Sequence, residues 1–320
     1  HGRKSDFVAT NIPQLYDYPV GTPNTYSYQR YLVAKRTVDA RALNHRVWTR
    51  FIDELVEQSS SLQVLEVGAG IGATTRRALE AISEKSIDQL EYTLLDVNQD
   101  NLNVAHERLR DWLDGSENWN LVETEGGMLA AEEEGGVVVT LRFTQADLFE
   151  HAETATKQSY DALISQAVFD LLPLRAALTS LRPLLKNQAL WYLPIHFDGV
   201  TAFEPPIEPS LDDRIERLYH RSMCPDNETA SGVVGAHTGR RLLTQLPDVG
   251  AKLLEVGSSD WIVHPTNREY PSDEAYFLQH ILHFLETELS GHPTLDASVF
   301  NSWIEKRREQ IEEGTLIYIA

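Results

Sequence analysis

The chain of 320 residues sets 48 acidic against 28 basic side chains, a formal net charge of −20, and 42% of it is hydrophobic. A surface this acidic repels phosphate backbones and anionic lipid, so nucleic acid and membrane are not expected partners, while a cation is not turned away. One cysteine, Cys224, excludes internal disulfides and a cysteine-built zinc cluster and makes a reducing, cytoplasmic compartment the default; no apolar run nears the roughly 20 residues of a spanning helix, and no charged-then-apolar leader opens the chain.

Residues 11–28 are rich in Pro, Tyr and Asn and read as an irregular arm. From about 29 to 58 the spacing of Leu32, Ala40, Leu43, Val47, Phe51 and Leu55 predicts a helix. A short apolar strand follows in LQVLEVG, then a helix in TTRRALEAIS, a second strand in LEYTLLDVN and a long helix in NLNVAHERLRDWL. Residues 115–137 are Gly- and Glu-rich and read as a loop or irregular hairpin. GVVVTLRFTQADLF predicts a third strand, YDALISQ a fourth, LRAALTSLRPLL a helix and QALWYLPIHF a fifth strand. Strands this continuously apolar, alternating with helices, indicate a parallel sheet covered on both faces.

Residues 198–249 interrupt that rhythm with loop FEPPIEPS, helix LDDRIERLYHRSM, loop CPDNETASGVVGAHTG and helix RRLLTQL. KLLEVGSSDWIVHP then reads as a strand running through a bend, two helices span DEAYFLQHILHFLETEL and VFNSWIEKRREQIEEG, and TLIYIA is a last strand. His280 and His283 share a helix face but lack a nearby third ligand, so no metal site is expected.

VLEVG at 64–68 has an echo, LLEVG, at 253–257. Gly68, Gly70 and Gly72 follow the first copy between a strand and a helix, where glycine permits positive φ and close approach of the backbone to a ligand. The second copy has only Gly257 and no cradle, so one ligand site is expected, at 65–72. GAGIGA also fits the dinucleotide pattern G-x-G-x-x-A, a weak signal alone. Glu66, two residues before Gly68, would gain nothing beside a diphosphate and would favour a ligand bearing a positive charge. Asp96 ends the second strand, where a ribose diol can donate to a carboxylate.

With VLEVGAGIG, LLDVN, QADLF after the third strand and SQAVFDLLP after the fourth, the chain resembles the class I S-adenosylmethionine-dependent methyltransferases in element order over about 60–320. That resemblance implies a Rossmann-like α/β fold, a seven-stranded, mostly parallel sheet of order 3-2-1-4-5-7-6 with the TLIYIA strand antiparallel. The chain stops inside that strand, which reads as a truncated or disordered end. It further implies S-adenosylmethionine as cofactor and S-adenosylhomocysteine as product. Glu66 with the backbone of Gly68, Ala69, Gly70 and Gly72 would hold the methionine end, and Asp96 with Val97 the ribose. Asp147 and Leu148 would flank the adenine, and Gln166 and Ala167 would line the pocket near the methyl. Each acid also has a bland reading: Glu66 as a strand-end carboxylate capping N–H groups, and Asp96, Asp147 and Asp170 as helix or turn caps.

Residues 1–60 are read as an N-terminal arm and helical cap, 61–320 as the methyltransferase domain, and 198–249 as a lid insertion. His196 and Asp198, after the fifth strand, stand where open α/β sheets bind ligands and are the candidate catalytic groups. Tyr28, Tyr31, Phe169, Tyr219 and His220 are candidate acceptor contacts. Arg36 falls on the apolar stripe of the first helix with Asp39; it either pairs with Asp39 or forks onto the methionine carboxylate of the cofactor. The expected partner is a small-molecule acceptor, and a homodimer is compatible with the chain. An aminopropyltransferase, an NAD(P) oxidoreductase and a catalytically silent scaffold on this fold are the competing readings.

Overall fold

The structure, a computed structural model, describes residues 22–320 apart from 24, 84, 86, 117–118, 125–127, 134–135 and 224–234. The arm before residue 22 and the loop from Cys224 to residue 234 lie outside the described residues.

The predicted helix over 29–58 is three helices: α1 (Tyr28–Ala34), α2 (Arg36–Ala42) and α3 (His45–Gln58). Lys35 breaks the first pair, and Leu43 turns extended before Asn44, whose side chain caps α3 by accepting from Val47 N at 3.2 Å. The apolar stripe therefore changes phase at the breaks: Ala40 is exposed and Val38 is buried instead.

After this come β1 (Ser61–Val67), α4 (Ala73–Ser83), β2 (Gln89–Asp96), α5 (Gln99–Asp114), the strands β3 (Trp119–Thr124) and β4 (Met128–Glu133), and β5 (Val138–Gln145). Helix α6 (Leu148–Thr154), strand β6 (Tyr160–Ile164), helix α7 (Leu174–Leu181) and strand β7 (Leu185–Tyr192) complete the layer. Five strands run parallel in the order β5-β2-β1-β6-β7, which is the 3-2-1-4-5 part of the expected order. Alternate residues of β1 feed two cores: Val64 packs with α3, α4 and α5 on one face, Leu65 with α6 and α7 on the other. Burial on both faces explains why β1 and β6 read as continuous apolar runs.

The 7-6 part of the expected order is corrected. The two positions that bring this sheet to seven strands are the hairpin β3–β4, antiparallel to β5 at the opposite edge. The terminal strand, β10 (Ile317–Ile319), is antiparallel as expected but lies between β8 (Ala202–Glu204) and β9 (Ile262–Val263) in a separate three-stranded sheet. The strand predicted over 252–265 shrinks to β9, because among the described residues no backbone hydrogen bond joins 252–260 to another segment.

That small sheet belongs to a third core, shared by α1, α2, α8 (Pro209–Ser222), α10 (Glu274–Leu289) and α11 (Ala297–Glu312). The insertion's other helix, α9 (Thr238–Asp248), packs instead with α7 under the main sheet. Thus the N-terminal helices and the C-terminal third of the chain form one cap. Its polar ties are long-range: Arg30 to Asp273 at 2.9 Å, Arg41 to the buried Glu274, and Tyr276 to the backbone of Ser27. No helix among the described residues is long and apolar enough to cross a membrane.

Candidate functional site

The turn from β1 into α4 carries three left-handed glycines, Gly68, Gly70 and Gly72, at φ +68°, +54° and +73°. A Cβ on Gly68 would stand 2.3 Å from Val168 Cγ2, so only glycine fits there. The cradle's amides are spent inside the chain. Gly68 and Ala69 donate to Leu95 O, Gly70 donates to Asp96 Oδ2 at 2.8 Å, and Gly72 donates to Ala69 O. A diphosphate would need those donors. Leu32 of α1 rests above Gly70, 3.5 Å from where a Cβ would be, and Gln29 donates to Asn101 Oδ1. The cap therefore covers the cradle.

Around it stand the acids. Glu66 is 2% exposed, and its Oε2 accepts from Thr75 Oγ1 at 2.6 Å and Tyr92 OH at 2.7 Å. Burial pushes its pKa up to about 7 against those two hydrogen bonds. Asp96, also buried, accepts from Gly70 N through one oxygen and from Asn98 N and Asn101 Nδ2 through the other. Val97 beside it is exposed. Asp147 N-caps α6, accepting from Phe149 N and Glu150 N, and Leu148 is buried in the core. In this structure Asp96 and Asp147 fill the capping roles that sequence offers as their bland alternatives, at the tips of adjacent strands, while Glu66 meets two hydroxyls and no N–H group.

Gln166, just past β6, ties the cradle to the cap. Its Oε1 accepts from Thr74 Oγ1 at 3.1 Å, and its Nε2 donates to Asp39 Oδ2 at 2.9 Å. Asp39 is buried and its cation is Lys35 at 3.4 Å, which corrects the expected Arg36–Asp39 pair. Its Oδ1 is buried with no hydrogen-bond partner among the described residues. Arg36 is half-buried; burial and the neighbouring Arg108, Arg76 and Arg77 lower its pKa to about 10. A lone buried carboxylate oxygen and a cluster of guanidinium groups beside a glycine turn fit an amino-acid zwitterion at the end of an adenosyl ligand.

Next to the cradle opens a cavity of about 1820 Å³ that runs along the outer edge of β7, with residues 250–261 on its far side. Tyr28, Tyr31, Ala167, Asp170, His196 and Tyr219 line one end of it. His196 Nδ1 lies 3.3 Å from Asp170 Oδ1, the side chain is 1% exposed, and Nε2 has no partner among the described residues. Sequence reasoning gave Asp170 only a capping role and missed this contact, which depends on the chain returning from β7 beside the turn after β6. Asp198 is exposed and holds Arg240 at the start of α9 through both oxygens. Phe169 is core, packed edge-on to His196, and His220 sits against Phe197. Tyr31 stacks on His280, whose pKa burial lowers to about 4. No group of three His, Cys, Asp or Glu side chains that could hold a metal occurs among the described residues.

Residues 40–166 match the ubiE/COQ5 methyltransferase family. No curated protein is similar to the chain in sequence. Among solved structures, the C-methyltransferase domain of citrinin polyketide synthase is 15% identical over 77% of this chain and 54% of its own, with a TM-score of 0.43. Geranyl diphosphate C-methyltransferase from Streptomyces coelicolor A3(2) is 11% identical over 93% and 85%, with a TM-score of 0.39. The methyltransferase CalH, crystallised with S-adenosylhomocysteine, is 18% identical over 48% of this chain with a TM-score of 0.32, and the chain spans only about a third of CalH, 36%. Likenesses this distant carry no argument about chemistry. The glycine turn and four of the five parallel strands lie within residues 40–166, the stretch that is similar to the ubiE/COQ5 methyltransferase family.

Proposed function

We propose that the protein moves a methyl group from S-adenosylmethionine to a small-molecule acceptor held at the Ala167 end of the cavity. One observation carries the choice of cofactor: the amides of Gly68, Ala69, Gly70 and Gly72 already donate to the chain's own oxygens, and carboxylates stand beside them. A diphosphate finds no cradle there, whereas an adenosyl amino acid finds acceptors for its ribose and its ammonium.

When bound, the cofactor supplies an activated methyl whose in-line transfer leaves a neutral thioether. The chain's share is alignment and exclusion of water. Asp96 would keep Gly70 N and take the ribose diol with its remaining acceptor capacity, Gln166 and Ala167 would border the methyl, and Arg36 would meet the methionine carboxylate. His196, oriented by Asp170, is the group placed to take a proton from an acceptor, and Asp198 instead braces the loop it sits on. Tyr28, Tyr31 and Tyr219 supply aromatic walls for the acceptor. In this reading α1 and α2 belong to the cap and α8 to the lid over the domain that carries the glycine turn, working in the cytoplasm.

A calorimetric and thermal-shift comparison of S-adenosylhomocysteine, NAD and NADP tests the cofactor. Binding and stabilisation by S-adenosylhomocysteine alone is expected; a response only to the nicotinamides would sink the reading. Transfer of labelled methyl to a panel of phenols, amines and thiols then separates an enzyme from a silent scaffold.

A further inference from the structure

Asp39 is a buried carboxylate with one oxygen in use and one idle. Oδ2 accepts from Gln166 Nε2 at 2.9 Å and faces Lys35 Nζ at 3.4 Å. Oδ1 has less than a water's access and no partner among the described residues. Leaving such an oxygen unmet forfeits its hydration with nothing in return, so an orphan of this kind calls for an explanation.

Its surroundings supply one. Gln166 links Asp39 to Thr74 in the first turn of α4, two residues past Gly72. Val168, two residues past Gln166, packs on Gly68, and Leu32 of the adjoining α1 packs on Gly70. Asp39 is thus two hydrogen bonds from the glycine turn. Glu66, the acid that sequence motif assigns to the cofactor's ammonium, is differently placed: both of its hydrogen bonds converge on Oε2 from Thr75 and Tyr92, inside the sheet–helix interface. Arg36, three residues before Asp39 on the same short helix, forms no ion pair among the described residues; Arg108, Arg76 and Arg77 crowd it, opposed by Glu80, which is itself paired with Arg76. The helix α2 therefore offers a carboxylate oxygen without a donor and a guanidinium without a contacting anion, three residues apart.

Resting on the cofactor reading above, we propose that Asp39 of the cap, rather than Glu66 alone, receives the α-ammonium of the cofactor through Oδ1, with Arg36 taking the carboxylate beside it, so that recognition of the amino-acid end is completed by α2. Leu32 and Asp39 belong to the same cap, so the contact would come from the helices that cover the glycine turn. The ligand class selected is an adenosyl thioether bearing a free amino acid. Nucleosides without that end lose the interaction.

Calorimetry on the whole protein tests this with three probes: S-adenosylhomocysteine, methylthioadenosine (which lacks the amino acid), and the deaminated analogue of S-adenosylhomocysteine, which keeps the carboxylate. Asp39→Asn is expected to weaken S-adenosylhomocysteine at least tenfold while changing methylthioadenosine less than twofold, and Glu66→Gln is expected to have the smaller effect on the former. Equal losses for both probes in Asp39→Asn would mark a structural role and overturn the proposal, as would unchanged S-adenosylhomocysteine binding. If Asp39→Asn does not fold, the wild type decides: a deaminated analogue that binds as well as S-adenosylhomocysteine overturns the proposal, and one at least tenfold weaker supports it. Wild type that binds none of the three defeats the cofactor reading itself, a distinct result.

Discussion

VLEVG at 64–68 and LLEVG at 253–257 are nearly the same five residues in two opposite situations. The first copy lies in β1, registered against β2 on one side and β6 on the other, with Val64 and Leu65 wholly buried. The second has extended backbone but no strand beside it, and its Leu253, Leu254 and Val256 are 40%, 48% and 43% exposed along the rim of the cavity. It is held by side chains: Asn44 Nδ2 donates to Ser258 O and Arg46 Nη2 to Val256 O. Local pattern sets which residues can be a strand. Partners on both edges decide which become one.

Matched substitutions sharpen this contrast. Leu65→Ala opens a void between β1 and the helices beneath it and should cost about 3 kcal/mol, whereas Leu254→Ala, at a half-exposed position, should cost about 0.5 kcal/mol or less by denaturant titration. Comparable losses would mean that the second copy is as well packed as the first. Gly68→Ala meets both a left-handed φ and Val168, and we expect a loss of about 2–3 kcal/mol. Gly257→Ala displaces only the Asn44 amide, which caps α3, and its loss should be about 1 kcal/mol.

The two glutamates differ in burial. Glu66 has a folded pKa raised from 4.5 to about 7, so its contribution is fully present below pH 4.5 and is lost as pH climbs through 7. Glu66→Gln should therefore gain stability relative to the wild type between pH 4.5 and 7.5, by at most about 3 kcal/mol, read from melts across that window. Glu255, the half-buried partner of Arg46 at the cavity rim, should change stability by about 0.5 kcal/mol or less as Glu255→Gln. A flat difference curve for Glu66→Gln would show that its carboxyl is better solvated than its burial implies.

Much of the site was legible locally. Gly68, Gly70 and Gly72 announced positive φ through their spacing, and Asp96 announced itself as the acid closing an apolar strand, because both signals are written within a few residues of each other. Asp39 was visible as an anomaly without its partner, and Asp170 only as a cap. Gln166 lies 127 residues from Asp39, and His196 lies 26 from Asp170, distances over which periodicity says nothing. The strand order failed at its far edge for the same reason: TLIYIA has the composition of a strand, but whether it joins β7 or β9 depends on which edge is offered to it.

By itself the amino-acid order determined the alternation of apolar strands and amphipathic helices, the glycine turn and the acids at the strand tips, since each arises from backbone geometry and side-chain period within one element. Only tertiary structure decided that the N-terminal helices join the C-terminal third in a single cap, that the second LEVG remains unpaired, and that one oxygen of Asp39 is left without a donor. Those outcomes depend on hydrogen-bond partners and buried area supplied by segments as many as 290 residues apart, which no local pattern encodes.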